Sequence, residues 1–193
     1  MKLRKWLVIV FFITKIFMVH AQENNPLVLG IGVNIVDNSG SRFDELLDIE
    51  NNWNLSRLLK VTLEKRFDYD YGAELSLSIN RFTEGKVING IVVDQKTNYF
   101  AIDIMAKNYT SNYWQDPRHA WYNGYVIGGW GGNFFDTRIN NTLNIGFGIN
   151  FQLKKNQYLW INFQTLGKFS IDANTPGNAN HLQHSISIIF WLL

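Results

Sequence analysis

The chain of 193 residues contains no cysteine. That excludes a disulfide framework, a thiolate metal site and a lipid anchor on an N-terminal cysteine. Small secreted domains commonly rely on disulfides, so this one must be held by something else, and backbone pairing in a closed barrel would suffice. Long apolar runs are missing too. Beyond residue 21 no stretch reaches the about 18 residues that a membrane helix requires. Positive charge is also scarce once the start of the chain is set aside. The 18 Lys+Arg face 16 Asp+Glu, but Lys2, Arg4, Lys5 and Lys15 fall in the first 21 residues, leaving 14 against 16 and a net charge of −2. A nucleic-acid surface, which needs a basic face, is excluded on that balance.

What is present begins with a targeting pattern. Lys2, Arg4 and Lys5 precede an apolar stretch from Trp6 to Phe17, broken by Thr14 and Lys15, and Val19-His20-Ala21 offers a cleavage site before Gln22. This is the layout of a secretory signal peptide, and Lys15 argues against a membrane anchor. The expected organisation is a signal peptide over residues 1–21 and one β-barrel domain over 22–193.

In that domain the recurring pattern is period-two alternation, the mark of strands with two unlike faces. Eight such segments are expected, at 27–36, 55–66, 71–80, 98–108, 122–132, 142–153, 158–168 and 182–192. The clearest sets Leu143, Ile145, Phe147, Ile149 and Phe151 against Thr142, Asn144, Gly146, Gly148 and Asn150. Each segment is near the about 9–11 residues of a tilted transmembrane strand. The links alternate between long (37–54, 82–97, 169–181) and short (68–70, 154–157), with a modest one at 133–141. Short inner turns and long outer loops are usual in outer-membrane barrels; the medium link 109–121 departs from that rule.

Alternation alone does not say which face is wet. The content of the polar face does. A soluble barrel turns that face to water and fills it with Lys and Glu; here it is mostly Gly, Ser, Asn, Thr and Gln, which suits a narrow interior. The long branched and aromatic face suits lipid. The expected fold is therefore all-β, an eight-stranded antiparallel up-and-down transmembrane β-barrel, with both termini on the periplasmic side.

The last strand, Asn180-His181-Leu182-Gln183-His184-Ser185-Ile186-Ser187-Ile188-Ile189-Phe190-Trp191, resembles the closing strand of OmpA-type eight-stranded barrels of Bacteroidota-like bacteria. The resemblance extends through Tyr125-Val126-Ile127-Gly128-Gly129-Trp130-Gly131-Gly132 and Asn144-Ile145-Gly146-Phe147-Gly148-Ile149-Asn150. It implies a bacterial outer-membrane location, contact with lipid and lipopolysaccharide, and insertion through the C-terminal strand by the barrel-insertion machinery. Two departures limit it. The chain ends Trp191-Leu192-Leu193 rather than on an aromatic residue, and it lacks the appended peptidoglycan-binding domain, so cell-wall tethering is not implied.

Charges on the polar strand faces must pair if the interior is dry. Lys60, Glu64, Arg66, Glu74, Asp103 and Lys107 are the ion-pair candidates. Cross-strand chemistry favours the register that sets Arg66 opposite Glu74 over the one that sets Glu64 opposite Glu74. A gate is the functional reading of these charges, and a structural plug the one that eight strands favour.

Enzyme chemistry finds little support. A lipid-modifying hydrolase would need a His beside a Ser nucleophile and a carboxylate to orient it. His184 and Ser185 are neighbours and point to opposite faces, His181 and Ser185 lie too far apart, and His119 with Asp116 sits in a link. No catalytic residue, cofactor or metal is assigned. The acidic 37–50 segment, net −4, lacks calcium-loop spacing; Ser41 there could cap a short helix through Leu47. Trp53, Phe82, Tyr99, Tyr109, Tyr113, Trp114, Trp121, Tyr122, Phe134, Phe135 and Trp191 are expected in interfacial girdles. The functional expectation is a non-enzymatic envelope protein, structural or acting through loops 37–54, 82–97 and 169–181 on a protein partner. A lipid A-modifying enzyme, a narrow solute channel or a soluble ligand-binding barrel would be the alternatives.

Overall fold

A computed structural model describes residues 26–37, 49–88, 91–92, 94–135, 138–153, 158–172 and 180–192. The signal segment 1–21 and the helix expected after Ser41 lie outside the described residues. Eight long strands carry the architecture: β1 (Leu27–Asp37), β2 (Ser56–Arg66), β3 (Tyr71–Phe82), β4 (Thr97–Asn108), β5 (Tyr122–Phe135), β6 (Arg138–Gln152), β7 (Leu159–Ser170) and β8 (His181–Leu192). Each pairs antiparallel with the next, and β1 pairs with β8 from Leu27↔Leu192 to Asp37↔Leu182. The sheet is thus closed, an eight-stranded antiparallel β-barrel with no free edge along these strands. Smaller pieces decorate the end away from the termini: a one-turn helix Ile49–Asn52, a two-residue strand Trp53–Asn54 on β1, and a tiny hairpin of Val87–Ile88 with Ile91–Val92.

The side-chain period of two sorts the wall into two surfaces. Inward lie Asn34, Lys60, Thr62, Glu64, Ser76, Ser78, Asn80, Asp103, Asn144, Asn150, Gln164 and Ser187, all buried. Outward lie Ile31, Val33, Leu59, Leu75, Leu77, Ile104, Leu143, Ile145, Phe147, Ile186 and Ile188, all exposed. A water-soluble barrel has the opposite arrangement. Three apolar clusters fill gaps inside: Val28, Trp160 and Ile189 near the terminal mouth, Met105, Tyr109, Tyr125, Ile127 and Leu166 deeper, and Val36, Phe82, Tyr99 and Ala101 at the far mouth.

Four expectations are corrected. The β2–β3 hairpin places Glu64 opposite Glu74 and Arg66 opposite Gly72, not Arg66 opposite Glu74. The turn decides it: Phe67 N–H donates to the Tyr71 carbonyl at 3.0 Å, and Asp68 Oδ1 accepts from the Asp70 and Tyr71 amides at 2.7 and 2.8 Å. The like charges are tolerated because a lysine of β4 sits between them. Second, Phe82, Tyr99 and Tyr109 are buried in the barrel rather than in girdles; strand parity turns Phe82 and Tyr99 inward, and Tyr109, just past β4, is held inside by Glu64 and Arg66. Third, Trp191 also faces inward, its ring 6.2 Å from that of Trp160. Fourth, β5 and β6 extend to Phe135 and Arg138, so the link between them is shorter than 133–141.

Candidate functional site

Two polar layers cross the interior. The layer nearer the termini is built around Glu64. Lys107 Nζ lies 2.8 Å from Glu64 Oε2 and 2.5 Å from Glu74 Oε2, bridging the two carboxylates that the register sets opposite each other. Arg66 Nε lies 3.2 Å from Glu64 Oε1, and the Tyr109 hydroxyl donates to that oxygen at 2.6 Å. Aromatic faces cover the cations: the Arg66 guanidinium is 3.3 Å from the Tyr109 ring centre, and Lys107 Nζ is 4.5 Å from that of Tyr125. Gly72 makes this possible, since a Cβ there would stand 2.6 Å from Glu64 Oε1. Lys60 Nζ donates to Gln164 Oε1 and to Ser185 Oγ, the latter at 3.1 Å, and Gln164 Nε2 lies 3.5 Å from Glu74 Oε1.

The second layer, nearer the far mouth, centres on Asp103. Lys168 Nζ donates to both its carboxylate oxygens at 2.8 Å, and Asn144 Nδ2 donates to Oδ1 at 2.8 Å. Lys168 also reaches Asn133 Oδ1 at 3.1 Å; the Tyr99 hydroxyl donates to the same oxygen at 2.8 Å and lies 3.1 Å from His181 Nε2. Gly131 faces Asp103, where a Cβ would collide with the carboxylate.

All six sequence candidates, Lys60, Glu64, Arg66, Glu74, Asp103 and Lys107, are thus in the interior. They fall into the two layers rather than one cluster. Sequence reasoning missed Lys168, which shares the parity of Trp160, Asn162 and Gln164 on β7. It also missed Tyr109, which belongs to the link after β4. Glu64, Arg66, Glu74, Asp103 and Lys107 each meet an opposite charge, whereas Lys60 donates to the neutral Gln164 and Ser185 side chains, and the two layers together fill the interior with polar contacts.

The 109–121 link packs against the β2–β3 turn and the start of β5 at the terminal mouth. Tyr109 N–H donates to the Asp70 carbonyl at 2.7 Å, a 3₁₀ turn covers Thr110–Tyr113, and Ser111 Oγ accepts from the Gly124 amide at 3.1 Å. Further along, Asp116 Oδ1 accepts from the Arg118 amide at 3.0 Å and Oδ2 lies 3.0 Å from His119 Nδ1. Those contacts hold the exposed Asp116 carboxyl down at about 2, the Arg118 backbone amide contributing most. An open recess of about 840 Å³ separates this link from Trp160 and Trp191.

His184 points outward and Ser185 inward; His181 is buried against Tyr99 and His119 is exposed on the link. His184 Nδ1 lies instead 3.0 Å from Thr165 Oγ1. Among the described residues no group of His, Asp and Glu could hold a metal ion.

The closed barrel with a polar interior and an apolar outer wall defines an architecture shared with bacterial outer-membrane proteins. Solved structures of that class superpose on this chain. Neisserial surface protein A matches with a TM-score of 0.60 and 8% identity, over 86% of this chain and 97% of the other. The N-terminal β-barrel domain of Pseudomonas aeruginosa OprF matches with a TM-score of 0.53 and 9% identity, over 88% and 100%. The E. coli outer membrane protein W gives 0.50 and 12%, over 89% and 100%. At such identities the likeness establishes the fold. No protein-family profile and no curated protein sequence matches the chain.

Proposed function

We propose that this chain is a non-enzymatic β-barrel of the bacterial outer membrane, serving the envelope structurally or through its far-mouth loops, after removal of residues 1–21. The observation that carries this reading is the sorting of the two wall surfaces. A belt of exposed Ile, Leu, Val and Phe surrounds an interior of paired charges and amides. In water that belt would be an aggregation surface; in lipid it is the expected outer face. The solved outer-membrane barrels of like fold support that location. The partners follow from it: lipid and lipopolysaccharide on the belt, the insertion machinery at the C-terminal strand, and a protein at the loops.

Heat-modifiability on a mild-detergent gel tests the reading. The unboiled band is expected to migrate apart from the boiled one and to remain with outer membranes. A soluble protein with no shift would refute it. The plug adds a second expectation: planar-bilayer recordings of the folded barrel show no conductance steps, because Arg66, Glu64, Lys107 and Glu74 span one layer and Asp103 and Lys168 the other.

A further inference from the structure

The outer wall carries one polar break that the plug does not explain. On β3, β4 and β6 the apolar belt is edged by polar side chains on the far-mouth side. Arg81 Nε donates to Asn98 Oδ1 at 3.0 Å in that rim, and the Asn141 amide donates to Asp172 Oδ2 at 2.6 Å. At the seam of β7, β8 and β1 the rim is different. Thr165 and Ile35 are the cross-strand partners of His184, and Phe147 is that of Thr165, forming one outward row. His184 Nδ1 is held 3.0 Å from Thr165 Oγ1. Its Nε2 stands 3.7 Å from Asp37 Oδ2, past hydrogen-bond length. Asp37 is fully covered and accepts from Trp53 Nε1 at 3.1 Å, and the Trp53 ring lies 5.5 Å from the imidazole. The His184 side chain keeps 27% of its surface open.

Below this polar end runs a groove of about 570 Å³, walled by Phe147, Ile149, Phe163 and Ile186 with Thr165 and His184 at its head. Its volume is in the about 300–1,000 Å³ range of built ligand sites. A polar side chain on a lipid-facing wall marks a functional site unless a partner at the interface explains it.

We infer that this groove is a binding site for one acyl-ester lipid of the surrounding leaflet. The acyl chain lies along Phe147, Ile149, Phe163 and Ile186, and the ester carbonyl accepts a hydrogen bond from His184 Nε2–H. In this arrangement the Thr165 hydroxyl, 3.0 Å from Nδ1, is the donor to it, and the ring proton sits on Nε2. Asp37, itself anchored by Trp53, flanks the ring 3.7 Å from Nε2. The belt determines the occupant: a soluble ligand would have to cross lipid to reach this wall, whereas an acyl lipid is already there. The site therefore rests on the membrane reading above.

Native mass spectrometry tests it, using the full chain extracted from outer membranes in mild detergent. The probes are dimyristoyl phosphatidylethanolamine and its ether-linked analogue, which lacks the ester carbonyls. The wild type is expected to retain one ester lipid, and the ether analogue about tenfold less, the effect of one hydrogen bond. His184→Leu and Thr165→Val should lower retention of the ester lipid by a similar factor. Ile31→Ala, on the belt away from the groove, should leave it unchanged. Equal retention of both lipids, or by wild type and His184→Leu, overturns the site while a normal heat shift leaves the barrel intact. A wild type with no heat shift overturns the membrane reading, and the site with it. Release of free fatty acid by wild type but not by His184→Leu would overturn binding in favour of hydrolysis at Thr165.

Discussion

At the scale of single residues, the interior is dominated by charges that exist only because they are shared. Asp103 is fully buried and takes two donors from Lys168 and one from Asn144. Removing one partner of a buried pair strands the other and costs about 3–5 kcal/mol, whereas replacing both with apolar groups of like volume is close to neutral. Lys168→Met should therefore lower the unfolding free energy, read by urea titration of the folded barrel in detergent micelles, by that amount. The double variant Lys168→Met, Asp103→Leu should recover most of it. Gly131→Ala pushes a methyl into the same carboxylate, and overpacking of this kind costs about 1–3 kcal/mol; the same urea titration reads it. In the other layer, Tyr109→Phe deletes a hydrogen bond to a charged acceptor, worth about 1.5–3 kcal/mol.

At the scale of elements, strands were legible and links were not. Period-two alternation located all eight strands within a few residues, since one polar and one apolar face leave no other reading of segments such as Leu143–Gln152. It also placed Lys60, Glu64, Arg66, Glu74, Asp103 and Lys107 inside by parity alone. Register was misread because pair chemistry was weighed between two strands, while the charge that neutralises Glu64 and Glu74 arrives from β4. Aromatic residues at strand ends were misread for a related reason. Being near an end does not fix whether a ring points in, and the parity of Phe82 and Tyr99 does. The link 109–121 carried no periodic signal, and its order comes from contacts such as Asn112 Nδ2 donating to the Tyr69 carbonyl at 2.6 Å. That link makes its own pH prediction. The Asp116 carboxyl is depressed, so the stability it lends the turn is complete above the ordinary carboxylate value and disappears as pH falls through about 2. The His119 amide proton resonance should accordingly move near pH 2; a midpoint near 4 would mean the turn is open.

At the scale of the whole molecule, the two polar layers and the outer belt are one arrangement seen from its two sides. Every strand gives alternate residues to each, so a register slip by a single residue would place Lys60 and Glu64 in the belt and Val61 and Leu63 in the plug. A one-residue insertion in the middle of β2 should thus abolish the heat-shifted band altogether, whereas the same insertion in the exposed Asp116–His119 turn should leave it.

The pairing of Leu27 with Leu192 brings the two ends of the described chain side by side at one rim. A ring has no first strand. If a short linker joined those ends and a new opening were cut between Phe135 and Arg138, the same hydrogen bonds, layers and belt could form with β6 leading and β5 trailing. Only the order in which the strands emerge during synthesis would differ, and with it the identity of the last edge to be zipped. Such a permuted chain would separate what the finished cylinder needs from what its delivery needs.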